Sequence, residues 1–244
     1  MNTSAKHPNG LTVLFDEANH IYKVKETGQI LTSATTFIGD FFPKFNTEEI
    51  ANNVAEKYGI TPKELIKKWN DKKENACEVG TNVHLFAEML IKGDQLPSAK
   101  SPRERKLFNQ VSRAVVALLK RFTFIETEKI VFSPVLGIAG TIDLLMADYV
   151  SKDLIIIDWK QNEDIAIDNV WQKGLPPIEH LDACELHKYS LQLNLYQYIL
   201  KQEKYYPEFN GFKRVLIHLQ ESGFHGINVD DAQREIIDLV YYGI

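Results

Sequence analysis

The 244 residues carry 28 Lys and Arg against 33 Asp and Glu, a net charge of −5, and 44% of the side chains are hydrophobic. That is enough apolar matter to bury a substantial core as one domain, while the acidic balance excludes a protein that coats nucleic acid through bulk positive charge, because phosphate binding leans on Lys and Arg. Cys77 and Cys184 stand far apart, "MNTSAKHPNG" has no apolar signal region, and no apolar run nears the roughly 18 residues of a membrane helix; these features speak against secretion and membrane spanning and for a cytoplasmic, reducing setting.

In chain order, strand-like runs at 11–15, 21–25 and 29–31, with a turn at Glu26-Thr27-Gly28, predict a small β-meander. Asn46 or Thr47 can cap a helix that runs to Tyr58 and stops at Gly59. Thr61-Pro62-Lys63-Glu64 is a capping box with proline at the first helical position and opens a second helix. A third, over about 76–92, carries His84 and Glu88 four apart and therefore on one face, and Gly93 stops it. Ser101-Pro102-Arg103-Glu104 is another capping box, starting a helix to about Arg121. Strands follow near 124–132, 135–147 and 153–159, then a loop-rich insertion containing Pro176-Pro177. A helix over about 187–204, strands near 212–219 and 224–229, and a final helix capped by Asp230 complete the chain. No internal repeat or low-complexity segment interrupts this order, which predicts an α/β fold: a central mixed sheet flanked by helices.

Two runs are basic despite the net charge. Residues 100–121 hold Lys100, Arg103, Arg105, Lys106, Arg113, Lys120 and Arg121 against Glu104 alone. Residues 57–73 hold Lys67 and Lys68 beside Trp69. Basic side chains interleaved with an aromatic suit a single-strand channel; solvated helix faces explain the same pattern equally well.

The stretch "GTIDLLMADYVSKDLIIIDWK", 140–160, carries the chemistry. Its two apolar runs and polar 148–153 segment predict a hairpin, and placing Asp148 opposite Asp153 sets Asp143 opposite Asp158. In that register Leu145 and Ala147 meet Ile156 and Leu154 on one face, while Ile142, Leu144 and Met146 meet Trp159, Ile157 and Ile155 on the other. Both faces are apolar, so the hairpin belongs inside a sheet covered on both sides. Opposed carboxylates repel, and Lys160, two residues beyond Asp158, returns to their face. Two hard oxygen ligands suit Mg²⁺ or Mn²⁺, and a lysine beside them can orient or deprotonate a water or offset charge on a phosphate. This is equipment for metal-assisted phosphodiester hydrolysis. The plainer alternative is two strand-ending acids and a loop lysine, just as His84 alone on a helix is more often a packing residue than a ligand.

Gly140-Thr141-Ile142-Asp143, fourteen residues, then Asp158-Trp159-Lys160 resembles the core of the PD-(D/E)XK nucleases, in particular their RecB-like branch. "GTNVHLFAEML" (80–90) resembles the branch's helical histidine motif, and "KYSLQLNLYQYIL" (188–200) its Gln-x-x-x-Tyr motif through Gln192 and Tyr196. "HIYKVKETGQILTSATTFI" (20–38) is similar to the opening of the mitochondrial genome maintenance exonuclease family with its phage and bacterial relatives. Gln161 stands where the family usually has threonine.

The resemblance implies a single nuclease domain over 1–244, with 1–121 a β-meander and helical elaboration carrying the histidine and 122–244 the restriction-endonuclease-like core. It implies that Glu128, Asp143, Asp158 and Lys160 are catalytic. His84, Asp143, Asp158 and the Trp159 backbone carbonyl would hold Mg²⁺ or Mn²⁺, supported by Glu88, Gln192 and Tyr196. Lys67, Lys68, Trp69, Arg103, Arg105, Lys106 and Arg113 would face DNA. The activity expected is an exonuclease on single-stranded DNA or DNA ends in recombination, replication or repair; a structure-dependent endonuclease and a catalytically weak DNA-binding subunit are the alternatives. Two cysteines exclude the four-cysteine iron-sulfur site of some RecB-like enzymes. No Gly-rich phosphate loop implies ATP, and no protein partner is legible.

Overall fold

The computed structural model describes residues 2–243. Its strands are β1 (Asn2–Lys6), β2 (Thr12–Asp16), β3 (Ile21–Val24), β4 (Ile30–Ser33), β5 (Thr123–Ser133), β6 (Ile138–Asp148), β7 (Asp153–Lys160), β8 (Gly211–Gln220) and β9 (Gly223–Asn228). The α-helices are α1 (Ala34–Gly39), α2 (Thr47–Val54), α3 (Pro62–Lys92), α4 (Pro102–Leu119), α5 (Glu185–Gln202) and α6 (Gln233–Gly243). The strands form one mixed sheet in the order β1-β2-β3-β4-β6-β7-β8-β9, with β5 paired to the remaining edge of β6. The fold is α/β, a large mixed sheet flanked by helices with an N-terminal meander, and it fits the restriction-endonuclease-like core.

Two apolar layers cover the sheet. On one face Leu145, Ala147, Leu154 and Ile156 pack against α1, α5 and α6. On the other, Leu144, Met146, Ile155, Ile157 and Trp159 pack against α3 and α4. Leu154 through Ile157 are fully buried, as a strand covered on both sides requires. The meander has its own cluster, in which Val13, Tyr22, Val24 and Leu31 lean on Ile130, Phe132 and Ala139.

The helical caps follow sequence closely in places. Thr61 and Glu64 make the reciprocal capping box, and Gly59 and Gly93 take left-handed C-cap positions at φ 62° and 75°. Elsewhere tertiary contacts intervene. The second and third expected helices are one, α3, of 31 residues, because the segment between them holds good helix formers and no proline to break the ladder. The Asn46-capped helix ends at Val54 and gives way to a 3₁₀ turn through Tyr58. Ser101 caps α4, yet the box is not reciprocal: the buried Glu104 carboxylate accepts from Lys100 N at 2.5 Å and from Asn82 Nδ2 of α3 at 2.8 Å. Asp230 does not cap the last helix; α6 starts at Gln233, whose N–H is accepted by Asp231. β1 and α1 are additional to the elements that the sequence predicts.

β6 organises the centre. β5 pairs along one edge of it. Its other edge meets β4 in parallel at Ile138 and Ala139, then β7 antiparallel from Leu144 to Asp148. Residues 140–143 lie at the fork between these two partners, and the acidic row sits there.

Candidate metal and phosphate site

The β6–β7 register is the one expected, with Asp148 opposite Asp153 and Leu144 opposite Ile157. One step further, Asp143 Oδ2 accepts the Trp159 N–H at 2.8 Å. A side chain thus receives the bond at the point where the two strands separate. On the other edge Thr127 pairs with Leu144 and Lys129 with Ile142, which places Glu128 beside Asp143. Glu128, Asp143 and Asp158 therefore form a row across three strands.

That row distorts the sheet. Glu128 has φ +49°, a left-handed conformation that costs a non-glycine residue on the order of 1–3 kcal/mol. The expected face assignment fails at the same row. Ile142 packs with the α5 layer whereas Leu144 packs with α3 and α4, so the facing of β6 switches at Asp143 and Ile142 does not share a face with Leu144 and Trp159. Strict alternation holds only where the ladder is regular; irregular pairing re-aims side chains.

His84 comes from the final third of α3. Val79, Val83, Phe86 and Ala87 bury their side of that helix, which turns Gly80, His84 and Glu88, spaced four apart, toward one cavity of about 570 Å³ also lined by Glu128 and Thr141. His84 Nδ1 lies 3.4 Å from Asp143 Oδ1 and Nε2 lies 3.2 Å from the Trp159 carbonyl oxygen. One ligand atom from each of His84, Glu128 and Asp143 falls within 4.8 Å of the others. Asp158 is outside that group: its Oδ2 is 2.5 Å from Lys160 Nζ. Lys160 also stands over the Tyr189 ring at 4.5 Å.

The electrostatics follow from crowding three acids in a buried place. Burial pushes the Glu128 carboxyl up to about 8, and the neighbouring Asp143 charge adds to it. Burial likewise raises Asp158, with Asp143 adding to the effect and Lys160 opposing it. Asp143 goes the other way: burial raises it, but His84 and Lys160 together hold it below its ordinary range. Burial depresses His84 and Lys160, and the surrounding carboxylates outweigh that, leaving the imidazole at about 9 and the ammonium above its usual value. A carboxyl held neutral beside an ionised one is a site short of positive charge. One imidazole and two carboxylates in reach of each other form a donor set that fits Mn²⁺ well and Mg²⁺ through its oxygens.

The supporting residues line the cavities beside the row, Glu88 with His84 and the Gln192–Tyr196 pair with Glu128 and Thr141. Glu88 pairs with Lys92 at 2.5 Å on the cavity wall. Gln192 Nε2 donates to Tyr196 Oη at 3.0 Å, so these two bond each other and the residue that meets Lys160 is Tyr189. Tyr189 precedes Gln192 by three positions and Tyr196 by seven, a helical spacing that marks it in the sequence once α5 is laid on the sheet. Tyr196 explains Gly140. A Cβ at that position would come within 2.6 Å of the buried ring, so the glycine of the Gly-Thr-Ile-Asp run and the tyrosine of the α5 motif form one packing unit. Tyr22, a meander residue assigned no role in the sequence, bonds Thr141 Oγ1 at 3.0 Å.

Of the basic candidates, Arg103 comes nearest. It donates to the Gln161 carbonyl at 3.3 Å and lines two further cavities with Gln161 and Asn162. Gln161 itself donates to Ala76 O of α3 at 3.2 Å. Lys106 is paired with Glu221 at 2.7 Å, and Arg113 donates to Gln110 at 2.9 Å. Arg105 is exposed on α4. Lys67 is paired with Asp71 at 2.9 Å, and Lys68 is exposed beside it. Trp69 packs into a small cluster with Ala51, Ala55 and Leu65 and against the Phe45 ring. At 1.5 Å per residue, position 68 lies about 24 Å along α3 from His84, so this group is remote from the acidic row.

Cys77 is exposed and Cys184 buried, and both are free. No helix among the described residues is long and apolar enough to cross a membrane.

No family model matches the sequence, and no curated protein does. Among solved structures, the chain is similar over 87% of its length to 77% of a protein from Eubacterium rectale that carries the provisional name exonuclease, at 12% identity and a TM-score of 0.37. A second, SSO0001, is matched over 66% of this chain and 71% of its own at 16% identity and a TM-score of 0.24. At these scores neither likeness bears on the chemistry of the chain.

Proposed function

We propose that this chain is a divalent-metal-dependent DNA nuclease that hydrolyses phosphodiester bonds, acting as an exonuclease on single-stranded DNA or DNA ends. The observation that carries the reading is the convergence of His84, Glu128 and Asp143 within 4.8 Å, with the Asp158–Lys160 pair on the adjoining strand and a cavity that His84 and Glu128 line. Small-molecule hydrolysis needs no such cleft between a long helix and a meander.

His84, Glu128 and Asp143 would hold Mg²⁺ or Mn²⁺, with the Trp159 carbonyl and Asp158 as further oxygen donors. A divalent ion there supplies charge to offset the phosphate oxygens and acidifies a water. Lys160 remains protonated at neutral pH, so it works as a donor: it orients the attacking water and stabilises charge on the phosphoryl oxygens. Asp158 and the Tyr189 face hold the ammonium in place, and Trp159 N–H fixes the Asp143 carboxylate. Arg103, held by the Gln161 carbonyl, is a cation that a neighbouring phosphate would meet, among Glu163, Asp164 and Glu185.

Linear and circular, single- and double-stranded DNA, labelled at either end and incubated with Mg²⁺, Mn²⁺ or chelator, test this directly. Wild type is expected to shorten linear single strands from an end in Mn²⁺ and to spare circles. Asp158→Asn and Lys160→Ala are expected to abolish cleavage with DNA affinity largely kept. Turnover retained in both variants, or in chelator, contradicts the assignment.

A further inference from the structure

We propose that Phe15 and His20 form a stacking subsite for one unpaired nucleobase beside the scissile phosphate; the proposal rests on the nuclease reading above and assigns its single-strand preference to the meander. A second cavity, of about 260 Å³, lies on the meander side of the acidic row. It shares Phe15, Glu128 and Thr141 with the cavity that holds His84, so a strand whose phosphate sits at Glu128 has an adjoining space for the attached base. The wall of that space is aromatic. Phe15 stacks on Tyr22 with centroids 4.3 Å apart and planes at 15°. His20 stands edge-on to both, at 5.3 Å and 5.8 Å. Tyr22 is buried and anchored to Thr141, whereas Phe15 is half-buried and His20 exposed, leaving ring surface open to the cavity.

The hairpin turn sets where the imidazole points. His20 sits at φ +54°, an uncommon conformation for a non-glycine side chain. The turn that holds it there is fixed by Asp16, which accepts the N–H groups of Ala18 and Asn19 at 3.1 and 3.3 Å and the Asn19 carboxamide at 2.7 Å. A left-handed residue of this kind closes the turn between the paired Asp16 and Ile21, and it lays the imidazole against Phe15. Aromatic faces hold any base by stacking, without reading sequence. Bases inside a duplex are already stacked and paired, so this wall accepts only one that is splayed or single-stranded.

The test compares wild type, His20→Ala and Phe15→Leu on an end-labelled single strand and on the same strand with one abasic position walked along it. Base–aromatic stacking removed by alanine substitution is expected to slow cleavage of the intact strand by about 5- to 150-fold. Wild type is expected to slow similarly where the abasic position enters the subsite, and the variants to show no further loss there. A 2-aminopurine base at that position is expected to be quenched on binding wild type and not His20→Ala. His20 is exposed and Phe15→Leu keeps an apolar side chain, so unchanged melting temperatures establish that both variants are folded. Wild-type cleavage with equal rates in the variants, or an equal loss on intact and abasic strands, overturns the subsite alone. A wild type inactive on every DNA in Mg²⁺ and Mn²⁺ overturns the nuclease reading and this proposal with it.

Discussion

The two ends of the β6–β7 hairpin are built from the same strands and do opposite work. From Leu144 to Ala147, facing Leu154 to Ile157, every side chain is apolar and buried and the ladder is regular. From Ile142 to Asp143, facing Asp158 to Lys160, the strands separate, a carboxylate takes a backbone N–H, and three acids share a row. The first end gains from burial; the second loses by it, since burial and then the Asp143 charge raise Glu128 and Asp158. The comparison teaches where stability is stored and where it is spent.

Mutation should separate the two ends cleanly. Asp143→Asn keeps an acceptor for Trp159 N–H and removes a charge, so activity is expected to fall by about 10²- to 10³-fold or more; the melting temperature is expected to fall only modestly, because the attraction of His84 and Lys160 that is lost is offset by the relief of Glu128 and Asp158. Ile156→Ala, two positions away from the site, is expected to cost about 2–5 kcal/mol in denaturant unfolding while the folded fraction keeps its turnover. An Asp143→Asn variant destabilised as much as Ile156→Ala, or an inactive but stable Ile156→Ala, would break the distinction.

Gly140→Ala tests the seam between the ends. The new methyl group meets the rigid, buried Tyr196 ring, and overpacking of this kind costs about 1–3 kcal/mol. Loss of stability that Tyr196→Leu partly restores in the double variant is the expected result; additive losses would show that ring and glycine do not meet.

The pH dependence of metal binding sharpens the site end alone. His84 at about 9 and Glu128 at about 8 both hold protons at pH 7, and a cation binds only when they leave. Affinity for Mn²⁺ is therefore expected to strengthen from pH 6 toward 9, by up to about 10-fold per pH unit for each proton released. Calorimetry in buffers of different ionisation heat measures that release, and a flat profile would contradict the assigned ligands.

The same division marks what the sequence made legible. The register that sets Asp148 against Asp153 and Leu144 against Ile157 was readable because alternation and a polar turn are local signals, as were the Thr61–Glu64 box and the glycine stops. The unbroken α3 was not, since nothing in residues 70–75 states whether a polar run is loop or solvated helix. β1, "NTSAK", has few strand-forming side chains and is held by its pairing with β2. The switch of facing at Asp143 arises from the irregular row itself, which no periodicity encodes. Trp69 among lysines looked like a stacking platform because sequence spacing does not show the Ala51–Ala55 surface it covers. Phe15 and His20, the residues of the proposed subsite, read in the sequence only as parts of the meander, because it takes the fold to bring them beside Glu128.

The most direct measurement is the anomalous difference density of a crystal soaked in Mn²⁺. A peak within coordination distance of His84, Glu128 and Asp143, lost in Asp143→Asn, is the result predicted. Density that leaves those three side chains without an ion at saturating Mn²⁺, or that binds elsewhere while cleavage proceeds, would contradict the account.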